Sequence, residues 1–263
     1  MYKYLQLFSI SWQNGFVYRT SVLLWRFRNF LATYMSLTVW SLLLANNTTI
    51  ASYTQSGAIT YVFLISLLQS LVLSTRLHGM SEFIYSGGLS TILTKPLNVF
   101  GYFAIQEVSD KLKNFLFLVL ETGLIWLIFK PTIALPGAAT VFLFILWTFG
   151  AIYLNALILH LLGAIGFWSP ETWAPRFLFF TFLEFSAGKL FPLDILPAFI
   201  QKLIFMTPLP YLSFVQTKLF LEELDHSTLI KHSAMFIFWL VLGTISVRYV
   251  WQRGMRQYTA AGQ

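Results

Sequence analysis

Residues 29–75 read NFLATYMSLTVWSLLLANNTTIASYTQSGAITYVFLISLLQSLVLST and contain no Lys, Arg, Asp, Glu or His. The polar run NNTTIASYTQSG, residues 46–57, divides this stretch into two apolar segments. Each segment is close to the roughly 20 residues that a helix needs to cross a bilayer. We therefore predict two transmembrane helices, at about residues 25–45 and 57–77, joined by a polar outer loop.

The whole chain of 263 residues has the same character, with 57% hydrophobic and 10% charged residues. Soluble domains carry about 25% charged residues. Water therefore cannot be the main solvent of this chain. We predict an all-α integral membrane protein that forms a single transmembrane domain over residues 1–263.

Four further apolar stretches predict spans at about residues 112–130, 138–162, 174–189 and 233–251. Ahead of the first span, residues 3–20 have the spacing of an amphipathic helix that lies at a membrane interface. Between Gly188 and Ser233 the apolar pieces are too short to cross about 30 Å of hydrocarbon, because prolines interrupt them at positions 192, 197, 208 and 210. We predict that these pieces dip into the membrane and turn back, which leaves six spans.

The distribution of basic residues predicts the orientation. With six spans and an N-terminus inside the cell, the inner segments and span ends hold every arginine: Arg19, Arg26, Arg28, Arg76, Arg176, Arg248, Arg253 and Arg256. Basic residues concentrate on the cytoplasmic side of membrane proteins, so we expect both termini to be cytoplasmic. Residues 1–16 lack the continuous apolar run of a cleavable signal peptide. The net charge of +7 therefore needs no nucleic-acid partner.

Several kinds of chemistry are excluded by the residues present. The chain has no cysteine, which rules out thiolate catalysis, disulfides and Cys-based metal sites. The four histidines, at positions 78, 160, 226 and 232, include no pair at the i, i+4 spacing of a helical metal site. No G-x-x-x-x-G-K-[ST] loop is present, so any use of ATP depends on a partner chain. We expect no catalytic residue, no metal and no enzyme activity in this chain.

Two carboxylates fall within predicted spans. Glu121 lies in FLFLVLETGLIWLIF and Glu184 in FLFFTFLEFSAGKL. A charge near the bilayer centre costs at least about 2.5 kcal/mol and commonly has a function. Each could line a translocation path, pair with a partner chain or accept a proton, and the simpler alternative is one hydrogen bond that packs helices together.

A loop at residues 79–98, GMSEFIYSGGLSTILTKPLN, joins the second and third spans. Its middle part, from Glu82 to Leu93, mixes apolar and polar residues in a way that predicts a short helix along the membrane face. Such a helix can bind in a groove of a soluble partner, and the alternative is an ordinary amphipathic connector.

Four pieces of the sequence together resemble the ABC-2 type permeases, the membrane subunits of ABC exporters, and in particular a bacterial branch of about 260 residues. These pieces are Tyr18-Arg19 ahead of the first span, GGLSTILTKPLN at 87–98, GKLFPLDILP at 188–197 and WQRGMRQYTAAG at 251–262. Their order and spacing agree with that branch over essentially the whole chain. Thr94 and Met255 depart from it, because leucine is common at both positions.

This resemblance implies a half-transporter in the bacterial plasma membrane that pairs with a second permease chain, as a homodimer or a heterodimer. Separate ATPase subunits would bind ATP and Mg, and the permease itself would bind no cofactor. Residues 3–20 would form the family's amphipathic elbow helix. The loop at 79–98 would couple the permease to the ATPase through Glu82, Phe83, Leu89, Leu93, Lys95 and Pro96. The segment that carries Gly188, Pro192, Asp194 and Pro197 would form re-entrant outer helices.

Two other classes of function compete with this interpretation. An ion-coupled secondary transporter would move protons on Glu121 or Glu184, but such folds usually show inverted repeats and more spans. An intramembrane enzyme that acts on lipids would need clustered His, Asp or Glu at a membrane face, whereas the carboxylates here are isolated in sequence.

Overall fold

The computed structural model describes residues 2–17, 19–45, 53–75, 77–130 and 135–259. Within these ranges the chain forms α-helices and short 3₁₀ helices and no strand, which confirms the prediction of an all-α protein. The α-helices are α1 (Tyr2–Asn14), α2 (Arg19–Leu43), α3 (Gln55–Val72), α4 (Met80–Tyr85), α5 (Ser90–Leu93), α6 (Val99–Phe129), α7 (Ala138–Ala164), α8 (Trp173–Ser186), α9 (Ala198–Phe205), α10 (Phe214–Phe220) and α11 (His226–Gln257). The 3₁₀ helices are Leu77–Gly79, Ile165–Phe167, Leu193–Ile195 and Leu209–Leu212. Tyr18 and Arg76 lie outside the described residues.

Four helical segments of the described residues are long and apolar enough to cross a membrane: Gln55–Val72, Val99–Phe129, Ala138–Phe167 and His226–Gln257. The helix α2 also has sufficient length, at 25 residues, but Arg19, Arg26 and Arg28 lie in its first half. The helix α8 has only 14 residues, which gives a length of about 21 Å.

The third membrane helix begins earlier than the sequence indicated. The sequence predicted a span that starts near residue 112. Instead α6 is continuous from Val99, because the Asn98 side chain accepts a hydrogen bond from the Gly101 N–H at 3.1 Å and caps the helix.

The two ends of α7 define two ends of the helix bundle. At its start, Gly137 N–H and the Thr140 hydroxyl donate to Glu222 Oε1, at 3.2 and 3.1 Å. At its other end, Gly163 and Gly166 lie against Met80 and Ser81 of the loop at 79–98. The 27 residues of α7 separate these groups by about 40 Å. We call the end around Ser81 the loop end and the end around Glu222 the far end.

The far end is held together by hydrogen bonds to the turn that follows α8. Gly188 has a φ of +78°, a left-handed conformation that glycine adopts without strain. Its carbonyl accepts a hydrogen bond from the Tyr61 hydroxyl at 2.7 Å. The Ser213 hydroxyl donates to the neighbouring Ala187 carbonyl, also at 2.7 Å. These bonds join α3, the end of α8 and the start of α10 around one buried core.

Large apolar side chains remain exposed along the outer surfaces of the long helices, for example Leu24, Leu120, Phe149 and Ile245, which are each at least 60% exposed. In water such an apolar surface would favour aggregation. It is expected where lipid tails or a second chain cover the helices.

Candidate functional site

The loop at 79–98 forms two short helices rather than one. We predicted a single helix from Glu82 to Leu93, and this is wrong. The helix α4 ends before Gly87, which has a φ of +81°, and the Gly88 N–H bonds back to the Phe83 carbonyl at 2.9 Å. The chain therefore turns sharply before α5 begins.

One face of this loop is buried in an apolar cluster at the loop end of the bundle. Met80, Ile84, Leu89 and Ile92 pack there with side chains from α6, α11 and the 3₁₀ helix at Ile165–Phe167. The backbones also approach closely, because a Cβ on Gly166 would overlap the Ser81 carbonyl. Small residues permit such contacts between membrane helices.

A hydrogen bond from the loop to the C-terminal segment lies beside the same cluster. The Ser90 N–H donates to the Tyr258 hydroxyl at 3.0 Å. The Phe167 ring packs edge-on against Tyr258, with the ring centroids 6.0 Å apart. The loop is therefore held at both of its short helices.

The opposite face of the loop is exposed and carries four of the six predicted coupling residues, namely Glu82, Leu93, Lys95 and Pro96. Phe83 is half-buried, with its ring 6.2 Å from that of Phe103. Leu89 is 0% exposed. Leu89 therefore packs the loop onto the bundle, and a charged residue at this position would disturb the fold.

Glu121 lies opposite a buried arginine rather than in a core free of other charges. Its Oε1 is 3.5 Å from Nη1 of Arg26, which lies two turns into α2. The Arg26 guanidinium also donates to Asn114 Oδ1 and, at 3.3 Å, to the Ser70 hydroxyl. These contacts join α2, α3 and α6.

A second polar cluster lies nearby at the loop end of α3, and sequence analysis did not predict it. The Lys111 ammonium donates to the Val72 and Ser74 carbonyls, at 2.7 and 2.6 Å, so it caps the C-terminus of α3. The same ammonium is 3.3 Å from Glu107 Oε1, while the Thr75 hydroxyl donates to Glu107 Oε2 at 2.5 Å. Most of these partners are buried.

Glu184 lies near the end of α8. Its Oε1 forms a 2.6 Å ion pair with Lys189, and both side chains are about 45% exposed. The two predicted carboxylates are thus not brought together in one site. Each pairs with a basic residue instead.

At the far end, Gly188 and Pro192 precede the 3₁₀ helix at Leu193–Ile195, and Pro197 precedes α9. Asp194 is the charged residue of this segment. Its Oδ2 accepts a hydrogen bond from the Tyr53 hydroxyl at 2.9 Å and lies 2.5 Å from the Lys218 ammonium. Burial raises the pKa of Tyr53, and the Asp194 charge raises it further, so this phenol stays protonated and donates.

Lys218 is the centre of a charged cluster that the sequence did not reveal. Its buried ammonium pairs with both Asp194 and Glu223. The same group lies 4.6 Å from the centroid of the Tyr53 ring, which is within the range of a cation–π contact. A cavity of about 530 Å³ adjoins these groups. Among the described residues, no group of three or more His, Asp or Glu has an arrangement that could hold a metal ion.

Comparison with known proteins gives one family. The family model described as "ABC-2 family transporter protein" matches residues 30–262. This range includes the four helical segments that are long and apolar enough to cross a membrane, the loop at 79–98 and the segment from Gly188 to Pro197. A comparison with curated proteins found no match. Because the family match covers most of the chain, this protein is a membrane transport component that belongs to the ABC-2 family.

Proposed function

We propose that the chain is the permease subunit of an ATP-driven exporter in the bacterial plasma membrane. It pairs with a second permease chain to form the translocation path. ATPase subunits on separate chains bind ATP and Mg and hydrolyse the nucleotide. Membership of the ABC-2 family supports this proposal, since permeases of this family typically work with ATPase subunits.

Six membrane crossings are part of the proposal. The helices α2, α3, α6, α7, α8 and α11 follow one another in alternating directions: α3 starts beside the far-end turn, where Tyr61 bonds Gly188, and its end is capped by Lys111. The helix α8 follows the loop-end turn at Gly166 and reaches Ala187 at the far end. This alternation supports α2 and α8 as the two additional spans, with both termini in the cytoplasm and α1 as the elbow helix.

The loop at 79–98 is the proposed contact with the ATPase. The buried face of the loop packs against α6 and α7. The exposed face is accessible to a partner. A displacement of the exposed face therefore moves the ends of the long helices. The re-entrant segment after Gly188 lies at the opposite end, where it would cover the outer mouth of the path.

The single observation that carries the proposal is the exposed side of this loop, where Leu93 is 44% exposed beside Lys95 and Pro96. We expect Leu93→Glu to reduce co-purification of nucleotide-binding subunits from native membranes by about tenfold or more, since a buried unpaired charge at an interface costs at least 1–3 kcal/mol. Crosslinking followed by mass spectrometry of the purified complex measures this.

Leu190→Glu is the matched control, because Leu190 has a similar exposure of 48% but lies at the far end. It should retain the ATPase. If Leu93→Glu retains both the ATPase and export, the proposed contact is wrong. If no nucleotide-binding subunit accompanies the unaltered chain, the exporter proposal itself fails.

The ion-coupled alternative receives no support from the geometry. Glu121 faces the Arg26 guanidinium and Glu184 faces the Lys189 ammonium. Both carboxylates therefore form ion pairs that join parts of the fold, and their geometry gives neither of them a role in transport.

A further inference from the structure

The cavity at the far end of the bundle, which we call the far-end cavity, has the composition of a small-molecule site. Its volume of about 530 Å³ lies within the 300–1,000 Å³ that is usual for such sites. Its walls come from several separate elements: Tyr53 ahead of α3, Asp194 before α9, Phe205 in α9, Lys218 in α10 and Glu223 after α10.

The charge balance of the cavity is negative. Asp194 and Glu223 contribute two carboxylates, Lys218 contributes one ammonium, and the imidazole of His232 is neutral, so one negative charge is in excess. The Lys218 ammonium uses Asp194 Oδ2 and Glu223 Oε2. Within the described residues, Asp194 Oδ1 and Glu223 Oε1 form no hydrogen bond. One negative charge and two acceptor oxygens therefore remain for a ligand.

Both carboxylates are accessible, with 38% of the Asp194 side chain and 43% of the Glu223 side chain exposed. A ligand can reach them without disrupting the buried Lys218. The position of Lys218 also shows which chemistry the walls accommodate, because its ammonium lies 4.6 Å from the Tyr53 centroid and 5.8 Å from the Phe214 centroid. Aromatic faces and carboxylates around one ammonium are the usual surroundings of an organic cation.

The aromatic wall of the cavity also includes Phe205. The Phe205 ring lies 5.9 Å from that of Phe214 and 5.0 Å from the imidazole of His232, measured between ring centroids. These rings offer an apolar surface next to the free carboxylate oxygens. An anion would face excess negative charge, and a neutral alcohol would leave that charge unpaired.

We propose that the far-end cavity binds an organic monocation, an amine or quaternary ammonium that carries an apolar or aromatic group. The cation would lie between the free oxygens of Asp194 and Glu223, and the apolar group would lie against Phe205. This inference concerns binding alone and does not depend on the exporter assignment.

The test is isothermal titration calorimetry of the purified full chain in a neutral maltoside detergent, with benzyltrimethylammonium, benzyl alcohol and benzoate as probes. We expect saturable binding of the cation, and binding of the alcohol and of benzoate at least about tenfold weaker, because the latter probes lack the attraction to the carboxylates. Equal heats for all three probes would indicate partition into the micelle and would overturn the proposal, as would preferred binding of benzoate or no binding of the cation.

Two variants connect the binding to this cavity. Glu223→Gln removes the excess charge at an exposed position and should weaken binding of benzyltrimethylammonium about tenfold, the change of a partly solvated charge contact. Glu222→Gln is the matched control, because the neighbouring Glu222 accepts from Gly137 and Thr140 and does not line the cavity. If both variants bind the cation as the unaltered chain does, the cation binds elsewhere and the assignment is wrong.

Discussion

Arg26 and Glu121 illustrate how single residues join the helices of this bundle. Their side chains are only 8% and 16% exposed, and Asn114 and Ser70 supply further acceptors for the guanidinium. A buried ion pair adds little net stability over an apolar pair, but the loss of one partner leaves an uncompensated charge. The main role of the pair is therefore to set the position of α2 relative to α6, and its net contribution to stability is small.

The first prediction follows from this pair. Arg26→Met should destabilise the protein by about 3–5 kcal/mol, because it leaves the Glu121 carboxylate buried without its cation. Thermal unfolding in detergent measures the loss.

Two further variants test the reason for this loss. Arg28→Met is the control, since Arg28 lies two residues away and stacks on Trp25, with the guanidinium 3.8 Å from the ring centroid, at the exposed surface. It should cost less than about 1 kcal/mol. Adding Glu121→Met to Arg26→Met should restore most of the stability, and a double variant that is as unstable as Arg26→Met would contradict the ion-pair explanation.

The sequence identified Glu121 as a carboxylate within a span but could not identify its partner. Arg26 is 95 residues away and belongs to another helix, so the contact exists only after α2 and α6 pack together. Likewise, no sequence pattern singled out Lys218, whereas Asp194 was singled out as part of GKLFPLDILP at 188–197. Hydropathy locates apolar helices, whereas pairing of charges depends on the tertiary arrangement.

At the scale of elements, the contact between α4 and the end of α7 depends on glycine. A Cβ at Gly166 would overlap the backbone of Ser81, and backbone atoms cannot move aside as a flexible side chain can. The helix α4 is therefore bound to the end of α7 at van der Waals distance.

The second prediction tests this contact. Gly166→Ala should destabilise the protein by about 1–3 kcal/mol, the usual cost of overpacking, and should loosen the loop at 79–98. Limited proteolysis of this loop and the melting temperature report both effects.

Gly123→Ala is the comparison for Gly166→Ala, because a Cβ at Gly123, inside α6, would meet no atom within 4 Å. It should leave stability unchanged or raise it by up to about 1 kcal/mol, the helix-propensity gain of alanine over glycine. Equal destabilisation by the two variants would mean that close backbone packing is not the cause.

The elements themselves were predictable to different degrees. The helices α3, α7 and α11 follow from long apolar runs, and the proline-interrupted region is short helices as expected. The loop at 79–98 was expected to be one helix because its composition is amphipathic, but the left-handed turn at Gly87 divides it. The adjacent glycines 87 and 88 are a signal for a turn. The helical periodicity on both sides of them nevertheless favoured a single helix.

At the scale of the whole molecule, the loop at 79–98 and the far-end cavity lie at opposite ends of helices that are about 40 Å long. That length exceeds the roughly 30 Å hydrocarbon core of a bilayer. In the proposed topology, the two ends would project into the interfaces on opposite sides of the membrane.

The third prediction uses the absence of cysteine from the chain, which permits single cysteines to be labelled without background. In intact spheroplasts, a membrane-impermeant maleimide should label Lys202→Cys, an exposed position in α9 at the far end. It should label Thr94→Cys, exposed in the loop at 79–98, only after the membrane is permeabilised.

The reversed labelling pattern would invert the proposed orientation. Labelling of both positions in intact spheroplasts would contradict their placement on opposite sides. Denatured samples, in which both cysteines react, control for differences in intrinsic reactivity.

The two faces of the loop at 79–98 also differ in the substitutions that they tolerate. Substitutions at buried positions such as Ile84 and Leu89 disturb the bundle, whereas Glu82, Leu93 and Lys95 can change while the fold persists. With the proposed ATPase contact on this exposed face, a related permease could acquire a different ATPase through a few surface substitutions. Exchanging only these surface residues between two such permeases should exchange their partners.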